Sequence, residues 1–254
     1  MDFGNVEMRE RGMVGAAMGT TALSYDDGWW AIPVKSGATS KFVVIDTRNG
    51  SSRVILERDT IGHPQFCPDD SELILYAGPL TDRVWVVTRD GSSNRRVYER
   101  RNDQEWVTHE TWLPSRREIA FVTWPHGMRA VHVDDGSSRE ITRFRAWHAV
   151  AESSGRRIVC DTNFPDIGIA IFDSDDPALA PVTITETKSS SAGDHWAHPF
   201  PYNDGPVEVY APQHTHPHPR FSPDGKRVTF TSDRSGHAQL YEWLDGHAQV
   251  DADS

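Results

Sequence analysis

His218-Pro-Arg-Phe-Ser-Pro-Asp-Gly225 opens a unit that continues through the apolar run Val228 to Thr231 and then Gln239-Leu-Tyr-Glu-Trp243. The same order of parts recurs upstream. His63-Pro-Gln-Phe-Cys-Pro-Asp-Asp70 leads into Leu73 to Tyr76, then Arg83-Val-Trp-Val-Val87 and the turn Asp90-Gly91. His109-Glu-Thr-Trp-Leu-Pro-Ser115 is followed by Ile119 to Val122, Ala130 to Val133 and Asp135-Gly136. A looser copy runs from His148 through Arg157-Ile-Val-Cys160 to Gly168-Ile-Ala-Ile-Phe-Asp173. A weaker, earlier unit ends Lys41-Phe-Val-Val-Ile-Asp46, with a turn at Asn49-Gly50. Short apolar runs separated by Asp-Gly and Asn-Gly pairs are hairpin chemistry, because those residues accept the positive φ that tight β-turns need.

Successive opening histidines lie 46, 39 and 70 residues apart. The first two spacings match one four-stranded propeller blade of roughly 40–50 residues. An all-β chain is therefore expected, a β-propeller of four-stranded blades with about five blade units present. Residues 1–254 read as a single propeller domain. Within it, 174–212 is rich in Pro, Ser, Asp and His and reads as a loop-rich insertion. Nine tryptophans and ten phenylalanines agree with a strand-rich chain, since aromatics pack well on pleated surfaces.

The net charge of −11 argues against nucleic acid, whose binding relies on Lys and Arg neutralising phosphates. An anionic sugar stays compatible if local cations or a metal supply the opposite charge. Cys67 and Cys160 are the only cysteines and read as two free, buried thiols. Met1 to Arg11 is acidic and mixed, unlike a signal peptide, and no run approaches the roughly 20 apolar residues of a membrane span. A cytoplasmic protein with no membrane or nucleic-acid partner is expected; the sequence leaves the oligomeric state open.

In a propeller, equivalent blade positions are related by rotation about the central channel, so a residue type that recurs at one repeat position forms a ring. His63, His109, His148 and His218 occupy that position, with His216 two residues before the last. Such a histidine either caps its blade or faces the channel. Pro217 and Pro219 stiffen the backbone around His218, so Gln213-His214-Thr215-His216-Pro217-His218 suits a divalent cation. His-x-His is by itself a moderately specific metal signal. His214 reads as a loop residue; His126, His132, His237 and His247 read as surface residues.

These motifs resemble the oligogalacturonate lyases, propeller enzymes of pectin breakdown. The likeness rests on His63-Pro-Gln-Phe-x-Pro, Asp82-Arg83-Val-Trp, His109-Glu-Thr-Trp-x-Pro, the lone His148 and Gln213-x-x-His216-Pro-His218-Pro-x-Phe-Ser-Pro-Asp-Gly225. Phe230-Thr-Ser-Asp-Arg-Ser-Gly236 closes it. Members of that family cleave short oligogalacturonates by β-elimination with a manganese ion held by three histidines and a glutamine. The resemblance implies His148, Gln213, His216 and His218 as ligands of a divalent metal, most simply Mn²⁺. It further implies His109 as catalytic base and Arg83 as its cationic helper. His63 and His195 are expected to touch the acidic oligosaccharide substrate; Asp194 and His198 lie in the same loop as His195. The family's propeller has seven blades and a longer N-terminal part, against about five blade units here, so the resemblance implies a chain shortened at its N-terminus.

The residue types suit that chemistry. Removing a proton beside a carboxylate needs a cation on the carboxylate, worth several kcal/mol as a Lewis acid, and a base of near-neutral pKa, which histidine provides. Neutral imidazoles and an amide would leave the metal its full charge. Arg83 could grip a carboxylate in bidentate fashion. The competing expectations are a non-catalytic TolB-like propeller scaffold, which shares the Ser-Pro-Asp-Gly-Lys signature, and an inactive lyase homologue.

Overall fold

The computed structural model describes residues 20–163, 165–188 and 215–245. Every regular element among them is a strand, and none is a helix long and apolar enough to cross a membrane. The first sheet joins β1 (Ala22–Leu23), β2 (Trp29–Ser36), β3 (Thr39–Asp46) and β4 (Ser52–Arg58). The second joins β5 (Gly62–Cys67), β6 (Asp70–Ala77), β7 (Val84–Thr88) and β8 (Asn94–Arg96). The third contains β9 (Trp106–Leu113), β10 (Glu118–Trp124), β11 (Met128–His132) and β12 (Ser138–Thr142). The fourth contains β13 (Ala146–Ala151), β14 (Arg157–Thr162), β15 (Ile169–Asp173) and β16 (Val182–Thr185). The last has three described strands, β17 (Arg220–Phe221), β18 (Arg227–Ser232) and β19 (Gln239–Leu244). In each sheet the strands follow chain order, as in the blades of a β-propeller. β16 falls inside the 174–212 stretch that reads as loop; residues 189–212 lie outside the described residues.

The chain divides into two compact units, Met1–Arg101 with Val131–Ser137, and Asn102–Ala130 with Ser138–Ser254. Burial along the strands explains the sequence pattern in both. The second strands of the second and third sheets are covered on both faces, so they read as apolar runs: Leu73 to Ala77 in β6 and Ile119 to Val122 in β10 are buried throughout. The outer strands are more exposed, as in β4 and β8. Between the sheets of the first unit lie Phe42, Ile74 and Tyr76. In the second unit Trp124, Met128, Trp147 and Ile158 form one core, and Val159, Val228 and Phe230 another. Cys67 and Cys160 are free and buried, as expected, and burial pushes the Cys160 thiol well up.

The turns behave as their residues predict. Gly91 sits at φ 76°, and a Cβ there would meet the Ile55 carbonyl at 2.5 Å. Glycine thus serves both the turn and the approach of two neighbouring blades.

Candidate metal centre

β9, β13 and β17 are the first strands of the three sheets in the second unit, and β13 packs beside the other two. β9 and β13 are bulged at corresponding places. His109 and Glu110 together oppose Phe121, and Trp147 and His148 together oppose Asp161. In the first unit, His63 and Pro64 likewise oppose Tyr76. A bulge adds a residue to one strand and re-aims its side chains. The backbone of His63, His109 and His218 is left-handed, at φ 46°, 52° and 43°. That conformation costs a non-glycine residue of order 1–3 kcal/mol and persists only where its surroundings enforce it.

In the second unit three repeat histidines, two of them in bulges, stack into a column. The His109 and His148 rings are 4.4 Å apart and nearly parallel, and those of His148 and His218 are 3.6 Å apart. The His216 ring stands across the column, 5.1 Å from His148 and 5.6 Å from His218. One nitrogen from each of His148, His216 and His218 can be chosen so that all lie within 4.8 Å of one another.

Hydrogen bonds set which ring atoms carry protons. Nδ1 of His109 lies 2.8 Å from the Trp147 carbonyl. A carbonyl only accepts, so the proton is on Nδ1 and the lone pair of the neutral ring is on Nε2. Nδ1 of His148 lies 2.9 Å from Asp161 Oδ2, which leaves Nε2 as its ligand atom. The buried Asp161 also accepts the His148 backbone N–H at Oδ1 (2.7 Å) and the His218 backbone N–H at Oδ2 (3.1 Å). Burial alone would raise the Asp161 pKa, but the charge and hydrogen bonds of His148 outweigh it and hold the carboxyl below its ordinary range. Removal from water, then repulsion from His148, lowers the pKa of His216 and pushes that of His218 down to about 4. His218 keeps an exposed edge while its ring face is covered by His148.

This donor set fits a divalent cation. Nδ1 of His216 is buried and has no hydrogen-bond partner among the described residues, a state costing about 1–3 kcal/mol. The lowered pKa values of His216 and His218 keep those two imidazoles neutral, as ligation requires.

The other expected site residues divide into two groups. His63 and Arg83 belong to the first unit, with Arg83 Nη2 3.2 Å from His63 Nδ1. Gln213 and His195 lie outside the described residues, as do Asp194, His198, His214 and His247. His126 and His237 are exposed, while His132 is half-buried beside Asp135. The residue missed from sequence is Asp161. Its signal was a carboxylate in a run, Arg157 to Thr162, whose neighbours on the strand are buried.

Comparison with known proteins adds the family. The profile of the family described as oligogalacturonate lyase matches residues 35–244. The oligogalacturonate lyase of Dickeya dadantii (strain 3937) is 30% identical, over 79% of this chain and 54% of that protein. The oligogalacturonide lyase of Pectobacterium atrosepticum is 28% identical over the same shares. The chain thus spans about half the length of these curated relatives. Among solved structures, an oligogalacturonate lyase in complex with manganese superposes with a TM-score of 0.70 at 22% identity, over 89% of this chain and 64% of that one. TolB from Acinetobacter baumannii superposes with a TM-score of 0.61 at 16% identity, over 90% of this chain and 52% of that one. Both likenesses show the propeller fold. The match across residues 35–244 and the identity to the Dickeya protein show that the chain belongs to the oligogalacturonate lyase family.

Proposed function

We propose that this chain is a metal-dependent lyase that cleaves short oligogalacturonates, such as digalacturonate and its unsaturated form, by β-elimination. The observation that carries this reading is the cluster of His148, His216 and His218 with the His109 ring stacked against it. Those three histidines, with Gln213 as the resemblance implies, would hold the divalent ion. Manganese is favoured because a solved relative carries it. When bound, the ion supplies a Lewis acid for the uronate carboxylate, worth several kcal/mol.

The chain's own residues supply the proton transfer. The Trp147 carbonyl holds the His109 proton on Nδ1, so Nε2 presents the lone pair of a general base. Nε2 takes the C5 proton of the uronate. The C5–H electron pair becomes the C4–C5 double bond as the C4–O bond breaks, and the leaving oxygen takes a proton from solvent. The unsaturated monomer then rearranges to 4-deoxy-5-keto-uronate. Arg83, always charged, is assigned to neutralising a substrate carboxylate, with His63 and His195 as sugar contacts.

Unsaturated digalacturonate with the protein and Mn²⁺ is expected to yield the keto-uronate, and chelation to stop it. A folded, metal-loaded chain that turns over no uronide would overturn the reading. A chain that takes up no transition metal would favour a binding scaffold instead.

A further inference from the structure

One carboxylate serves two of the three histidines. Asp161 lies near the end of β14, is 1% exposed, and accepts three hydrogen bonds: the His148 backbone N–H, His148 Nδ1–H and the His218 backbone N–H. His148 belongs to the fourth sheet, whereas His218 immediately precedes the last. The bulge that aims His148 has Asp161 as its single opposing residue, so the same register that exposes the ring delivers its partner.

The repeat makes this placement informative. The residue that opposes the corresponding bulge is Tyr76 in the second sheet and Phe121 in the third. Those blades therefore close at this position with an aromatic ring. A buried carboxylate is expensive unless fully hydrogen-bonded, and the fold does not need one there.

We propose that Asp161 is a positioning residue for the metal centre: it holds the proton of His148 on Nδ1, so that Nε2 faces the ion, and it pins the backbone that carries His218. This rests on the metal-dependent reading above. Carboxylate–histidine–metal relays fix the tautomer and orientation of the ligand, and removing the carboxylate typically weakens metal affinity 10–100-fold. Asp161→Asn keeps the size but brings an amide N–H₂ against N–H donors. It would also drive His148 to the opposite tautomer, with the proton on Nε2.

The test compares Mn²⁺ affinity of the unaltered chain and Asp161→Asn by titration calorimetry, with ¹⁵N NMR of the His148 ring in metal-free protein. A 10–100-fold weaker affinity in a folded variant is expected, with the unaltered ring protonated on Nδ1. Unchanged affinity in the variant overturns the role of Asp161 and leaves the metal reading intact. Absence of Mn²⁺ binding by the unaltered chain overturns both. If Asp161→Asn does not fold, the tautomer decides: a proton on Nε2 of the unaltered His148 ring overturns the proposal.

Discussion

The rings of His109 and His148 lie face to face, 4.4 Å between centroids and 9° between planes. The two residues are held by different acceptors, a backbone carbonyl for His109 and a buried carboxylate for His148. Both acceptors take an Nδ1 proton, so both rings have their lone pair on Nε2. The environments nevertheless differ in kind. A neutral carbonyl orients its ring, whereas Asp161 adds a negative charge that raises the basicity of a ligand. That difference supports separate duties, proton transfer for His109 and ligation for His148.

Replacing His109 by Gln is therefore expected to lower kcat by roughly 10²–10⁴-fold, the usual contribution of a general base, while Mn²⁺ affinity stays unchanged. Formation of the keto-uronate follows the first quantity and calorimetry the second. Loss of both together would place His109 among the ligands instead.

A bound ion should also stabilise the fold. A ligand that binds only the native state contributes about 2.7 kcal/mol at a hundredfold excess over its Kd, and each kcal/mol raises Tm by about 2–4 °C in a domain of 150–250 residues. Adding Mn²⁺ is expected to raise the Tm of the unaltered chain by several degrees and that of His216→Ala by little. His216 suits the comparison because its Nδ1 has no hydrogen bond among the described residues to lose. An equal shift in both proteins would place the ion elsewhere.

The blades were legible because their signals are local. Asp-Gly and Asn-Gly pairs favour tight turns, and doubly covered second strands show as unbroken apolar runs such as Ile119 to Val122. The repeat position of the histidines also brought His109, His148 and His218 to one place, because rotation about a channel preserves position within a blade. Two features were hidden. β16 is short and half-exposed, and its partner among the described residues is β15, so the alternation Val182-Thr183-Ile184-Thr185 is too brief to stand out in a stretch rich in Pro, Ser and Asp. Asp161 acquires meaning only through the bulge, because its partners lie 13 and 57 residues away.

Trp124 links the core to the site. It is fully buried and packs edge-on against Trp147, at 5.2 Å and 78°, whose carbonyl holds His109. Trp124→Ala is expected to cost about 3–5 kcal/mol, the range for deleting a large core aromatic, read as a fall in the urea midpoint. Trp124→Phe is expected to cost less. It keeps one ring, and the lost indole N–H has no hydrogen-bond partner among the described residues. A Phe variant as unstable as the Ala variant would contradict this packing account.

Acid stability should depend on Asp46 in the first unit. Arg48 holds its carboxylate through Nε at 2.8 Å and Nη2 at 2.7 Å, and its backbone N–H donates at 3.0 Å. The side-chain hydrogen bonds of Arg48 are the main reason that the pKa of Asp46 falls from 3.8 to about 2. Arg48 also lies over Trp29, whose ring carries Arg89 as well. A carboxyl whose folded pKa is depressed stabilises the native state fully above its unfolded pKa. That contribution disappears as pH falls through the folded value. The stability gap between the unaltered chain and Asp46→Asn is thus expected to be constant from neutrality to about pH 5. It should narrow between about pH 4 and pH 2, where the unaltered carboxylate takes up the proton that the amide never carries. Denaturant midpoints of both proteins across that range provide the measurement, and a gap that stays the same down to pH 2 would show that Arg48 does not hold Asp46 ionised.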